Sequence, residues 1–64
     1  MSKKDIRSLS LDQLKNFFLE NSLKEYRGDQ VYSWLWEKSA INFEQMTNLP
    51  KSIRSILEDS FVIN

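Results

Sequence analysis

Along most of this 64-residue chain the apolar positions recur three and four residues apart, the spacing of an α-helix rather than the alternation of a strand. In SLSLDQLKNFFLENS, Leu11, Leu14, Phe17 and Phe18 share one side of a helical projection, while Asp12, Lys15, Asn16 and Glu20 take the other. Ser10 suits the N-cap, and Gln13 three residues on completes an S-x-x-Q capping box. The spacing predicts a first helix over 11–21.

In VYSWLWEK the same projection gathers Val31, Trp34, Leu35 and Lys38 into one stripe flanked by Arg27, with Asp29, Gln30, Ser33 and Glu37 opposite. Asp29 in the first turn and Lys38 in the last suit the helix dipole. A strand would divide Trp34 from Leu35 across a sheet with no partner strand in view, so a second helix over 27–38 is the consistent reading. On this reading Trp34 belongs to the core, and Trp34→Ala costs about 3–5 kcal/mol. Tyr32 and Trp36 fall on the shoulder of the helix, either packed on the loop around Leu23 and Tyr26 or left open for a partner.

Asn42 can cap a short turn over 43–46 that carries Phe43 and Met46 inward. Pro50 suits the first helical position of a further helix over 50–60, striped by Ile53, Ile56, Leu57 and Ser60. Phe61, Val62 and Ile63 are β-prone with nothing evident to pair against, and 61–64 reads as the start of a strand leading into a further domain. The expected architecture is all-α: a small orthogonal bundle of three main short helices plus one short helical turn, forming a single domain over 1–64.

Composition narrows the chemistry. A chain this small buries only about 60% of the surface of its unfolded state, so its stability margin is thin. A single Gly, a single Pro and 41% hydrophobic residues exclude disorder and argue against an all-β domain. With no Cys and no His, disulfides, thiolate metal sites and imidazole acid/base chemistry are unavailable. MSKKDIRSLS contains no apolar run of the signal-peptide kind, and no segment reaches membrane-spanning length. A cytoplasmic setting with no membrane partner is expected.

The carboxylates fall on faces read as polar, where solvation is the prevailing role. No phosphate loop, dinucleotide fingerprint or metalloprotease motif occurs, so no catalytic, cofactor-binding or metal-ligating residue is expected in this chain. Nine basic and nine acidic residues balance to zero, so any contact with nucleic acid has to come from a local patch. Lys24 and Arg27 near the first junction, and Lys51 and Arg54 in the first turns of the last helix, are the candidates. Arg27 and Arg54 flank apolar stripes, so their stems should pack while each guanidinium reaches a carboxylate within the domain or a phosphate outside it. An internal ion pair is the favoured expectation.

The order of residues carries more than the composition. YRGDQVYSWLWEK followed by INFEQMTNLPKSIRSIL resembles the N-terminal domain of the RlmN/Cfr family, radical-SAM enzymes that methylate adenosine in RNA. Tyr26, Arg27, Gln30, Val31, Trp34, Trp36, Phe43, Met46, Thr47, Asn48, Leu49, Ile53 and Arg54 match the family pattern in order and spacing. DIRSLSLDQLKNFF resembles its usual first helix, and the likeness is greater to RlmN than to Cfr. Gly28 stands where the pattern more often has Ala, and is expected to cost the second helix some stability near its start.

The resemblance implies a helix-hairpin-helix-like fold and an excised accessory domain of a larger enzyme, an adenosine C2-methyltransferase acting on large-subunit rRNA and tRNA. It also implies a 4Fe-4S cluster and S-adenosylmethionine in the parent protein, held beyond this chain, and a monomer whose partner is the radical-SAM domain of the same polypeptide. RNA contact by Lys24, Arg27, Lys51 or Arg54 is then expected. The alternative is a structural or protein-interaction module without an RNA role, docked through Tyr32, Trp36 and the Phe61–Ile63 tail.

Overall fold

In the computed structural model, which describes residues 3–63, helices dominate as the apolar spacing requires. Strand β1 (Lys4–Asp5) leads through a 3₁₀ turn (Ile6–Ser8) to helices α1 (Leu11–Glu20) and α2 (Tyr26–Trp36). A second 3₁₀ turn (Phe43–Gln45), helix α3 (Lys51–Ser60) and strand β2 (Phe61–Val62) complete the order. The expected class of three short helices with a short turn holds.

Local chemistry sets the ends of α1. Ser10 Oγ accepts from the Gln13 backbone N–H at 3.2 Å, and the Ser10 N–H donates to Gln13 Oε1 at 2.8 Å, closing the capping box. At the other end the Leu23 N–H reaches the Phe18 carbonyl at 2.8 Å and the Ser22 N–H reaches Leu19 at 3.0 Å, the two bonds of a Schellman motif. That motif places Ser22 at φ 60°, in the left-handed region where a Cβ is strained. Ser22→Gly is therefore expected to raise stability by about 0.5–1 kcal/mol, read as a higher urea midpoint at unchanged slope.

Helix α2 stops at Trp36, two residues short of the expected end. The Lys38 N–H reaches back to Ser33 at 3.1 Å, the Ala40 N–H to Trp34 at 2.9 Å, and Ser39 takes φ 52° to turn the chain. Lys38 thus lies beyond the helix, with its Nζ 4.2 Å from the centre of the Trp34 ring. The expected short turn over 43–46 is the second 3₁₀ turn; Asn42 Oδ1 caps it by accepting from the Gln45 N–H at 3.0 Å. Pro50 is not the first helical residue of α3. Its ψ of 150° makes it the cap, and its carbonyl receives the Ile53 and Arg54 N–H groups at 3.0 and 3.1 Å.

Leu14 and Phe18 of α1, Val31 and Leu35 of α2, and Ile53 and Leu57 of α3 converge on one core, closed by Phe43, Met46 and Leu49. Ile6 and Leu9, to which the spacing argument assigned no place, are also buried in it. Phe17 packs edge-on to Phe61 with ring centres 4.8 Å apart. Ile56 and Ser60, expected in the stripe of α3, are only partly buried.

Three expectations are corrected here. Trp34 is not central to the core: it packs against it partly exposed, because its indole Nε1 turns outward to donate to Asn48 Oδ1 at 2.7 Å. The tail does not lack a partner, since β2 pairs in parallel with β1, Lys4 opposite Phe61 and Asp5 opposite Val62. Asn64, the last residue of the expected 61–64 strand, lies outside the described residues. Gly28, expected only to weaken α2, is buried where α2 crosses α1: a Cβ there would lie 3.0 Å from the Lys15 backbone nitrogen. Its missing side chain lets the two helices approach.

Candidate nucleic-acid interface

The four candidate cations fall into two groups, at the N-terminal ends of α2 and α3. At the α1–α2 turn Lys24 is exposed and Arg27 partly buried, with the Arg27 N–H bonded to the Lys24 carbonyl at 3.2 Å. Arg27 forms none of the expected ion pair. Its Nη1 donates to Gln30 Oε1 at 2.9 Å and its Cζ lies 4.8 Å from the Tyr26 ring centre, because the i+3 position holds an amide rather than a carboxylate. The ion pair at this crossing instead joins Lys15 to Asp29 at 3.6 Å. Tyr26 is half exposed, so an aromatic ring, a lysine and a guanidinium share this turn.

The second group lines an open groove of about 530 Å³ along α3, walled by Glu44, Lys51, Arg54, Ser55 and Glu58. Lys51 and Ser55, and likewise Arg54 and Glu58, are four residues apart and so share a face of the helix. Arg54 also forms none of the expected ion pair: its Nη1 donates to the Glu44 main-chain carbonyl at 3.3 Å. Its Nε is buried without a hydrogen-bond partner. No side chain caps this end of α3, so the positive end of the helix dipole adds to Lys51 and Arg54. Glu44 and Glu58 oppose it, which keeps the field of this groove modest.

The aromatic shoulder divides. Tyr32 packs partly against the core, while Trp36 is 52% exposed, and their rings meet at 6.3 Å between centres, tilted by 50°. Ile41, on the segment leaving α2, is more exposed still at 70%; its position in a loop between two capped elements was the only sequence signal for it.

Sequence reasoning did not foresee the partnership of Trp34 with Asn48, which ties α2 to the segment leading into α3. An Asn between two apolar anchors, Met46 and Leu49, was the available signal. Among the described residues no group of three acidic side chains is arranged to hold a metal ion, and no helix is long and apolar enough to cross a membrane.

Residues 4–63 match the family model described as the ribosomal RNA large subunit methyltransferase N-terminal domain. The chain is 59% identical over 64 residues to a probable dual-specificity RNA methyltransferase RlmN of Flavobacterium johnsoniae. It is 45% identical over 58 residues to the similarly described protein of Bacillus velezensis. These matches cover 100% and 91% of the chain but only 18% and 16% of the relatives. Among solved structures, a radical SAM methyltransferase from Sphaerobacter thermophilus superposes with a TM-score of 0.90 over 95% of the chain and 18% of its own length. At 24% identity that likeness is one of fold.

Proposed function

This chain belongs to the family of ribosomal RNA large subunit methyltransferase N-terminal domains, and from that membership we propose that it is the RNA-facing accessory domain of a longer, radical-SAM adenosine C2-methyltransferase. The match over residues 4–63, with 59% identity to a relative described as a probable dual-specificity RNA methyltransferase RlmN, is the observation that supports it. The substrates are large-subunit rRNA and tRNA, the setting is cytoplasmic, and the working unit is a monomer in which this domain sits beside the radical-SAM domain of the same polypeptide.

The parent enzyme draws its radical chemistry from a 4Fe-4S cluster and S-adenosylmethionine. This chain contains neither Cys nor His, so its residues do not fit a cluster of that kind, and no catalytic step is assigned to them. Their part is to hold folded RNA in place. Lys51 and Arg54, at the uncapped end of α3, meet phosphate oxygens, and Lys24 and Arg27 offer a second contact at the α1–α2 turn. Arg27 is the less available of these, since its guanidinium already serves Gln30 and Tyr26.

Two measurements test the reading. The reading frame that encodes this domain should continue into a C-x-x-x-C-x-x-C motif, and a frame without one would overturn it. Titration of the protein with a structured rRNA fragment at several salt concentrations should give salt-dependent binding. The double change Lys51→Gln and Arg54→Gln should lower the slope of log K against log salt by about 2, one unit per lost phosphate contact. A second reading, a domain that docks on its neighbour without touching RNA, draws on the exposed Trp36 beside Tyr32. An unchanged slope in the double variant, together with loss of affinity between the domains in Trp36→Ala, would favour it.

A further inference from the structure

The pairing of β1 with β2 is difficult to account for as a finished structure. It is parallel and two residues long on each side. Isolated two-stranded ribbons are marginal in water, parallel pairing is weaker per residue than antiparallel, and parallel strands ordinarily sit inside larger, covered sheets. One face of the pair is covered, with Phe61 buried and edge-on to Phe17. The other carries Val62, 37% exposed.

The edge can be assigned from the end of α3. The Phe61 N–H donates to the Leu57 carbonyl and is therefore turned away from β1. Main-chain groups alternate sides along a strand, so Val62 faces β1, whereas the Phe61 carbonyl and the Ile63 N–H face outward. Ile63 is partly buried against the core and continues the line of β2. An outward donor and acceptor two residues apart form the template for one more strand.

We infer that β1 and β2 are the first part of a larger sheet, completed at the outer edge of β2 by a strand from the polypeptide C-terminal to this domain. The inference rests on the proposed reading of the chain as the N-terminal part of a longer methyltransferase. The matching family is described as an N-terminal domain and the chain spans only 18% of the relative from Flavobacterium johnsoniae, so in such proteins most of the polypeptide lies C-terminal to this position. The added strand runs antiparallel to β2, since a tight turn suffices for that, whereas a parallel neighbour needs a crossover of a dozen or more residues. The domain is then joined to its C-terminal neighbour by main-chain hydrogen bonds and does not swing on a linker.

Amide hydrogen exchange on the full-length protein, resolved at single residues, tests this. The Ile63 amide should exchange at least about a hundredfold more slowly than an unstructured amide, as slowly as that of Val62. Exchange of Ile63 at the unstructured rate beside a protected Val62 would overturn the inference. So would protection of Ile63 that weakens on dilution, which would mean that a second copy supplies the strand. An intact mass near 7.6 kDa for the natural protein would instead remove the longer-methyltransferase reading, and the inference with it, before exchange is measured.

Discussion

Phe18→Ala is expected to abolish cooperative unfolding, leaving a chain without a measurable urea transition. Phe18 is completely buried and meets Phe17 edge-on with ring centres 5.4 Å apart. Its carbonyl also receives the Leu23 N–H that ends α1. Emptying such a site costs about 3–5 kcal/mol, and a core of this size rarely supplies more than about that in total. Trp34→Ala provides the contrast. Its ring is partly exposed, so the expected cost is about 2 kcal/mol: part of a burial term and one hydrogen bond to Asn48. That variant should still unfold cooperatively at a lower urea midpoint. If Trp34→Ala unfolds the chain and Phe18→Ala does not, Phe18 is not the centre of the core and Trp34 is.

Gly28→Leu is expected to cost about 3 kcal/mol, far more than a helix-propensity scale would suggest, since leucine favours a helix over glycine by nearly 1 kcal/mol. The obstacle is the main chain of α1: a Cβ at Gly28 meets the Lys15 nitrogen at 3.0 Å and its Cα at 3.1 Å, besides Cγ at 3.0 Å. Two of those three atoms cannot swing aside. Lys15→Ala should therefore fail to rescue Gly28→Leu in a double-variant denaturation experiment. Rescue would mean that only the flexible lysine side chain was in the way. The expectation from the sequence, that glycine merely weakens α2, weighed the propensity of one helix and could not include the surface of the other.

The same division runs through the candidate interface. Lys24, Arg27, Lys51 and Arg54 were legible as cations near helix starts, because the apolar stripe of α2 and Pro50 before α3 mark those starts within a residue. What each guanidinium binds was not legible. Arg27 chose the amide of Gln30 and the ring of Tyr26, and Arg54 the carbonyl of Glu44. Backbone carbonyls leave no trace in a residue pattern, and the choice between an amide and a carboxylate depends on side-chain reach in three dimensions. Tyr32 and Trp36 were legible as off the main stripe of α2, yet their separation into one ring packed on the core and one exposed depends on how α2 sits against that core.

By itself the sequence determined the three helices, the capping box at Ser10, the apolar stripes that build the core, and the family, through an ordered pattern running from Tyr26 to Arg54. These are short-range properties: helical period, caps and residue order all act within a few positions of the chain. Only the tertiary structure decided that Trp34 leans out to Asn48, that Gly28 marks a helix crossing, and that Ile6 and Leu9 enter the core. It alone brought Lys4 beside Phe61, residues at opposite ends of the chain. Such pairings are long-range, and they are settled by which surfaces remain to be covered once the helices have packed, a quantity that no local pattern contains.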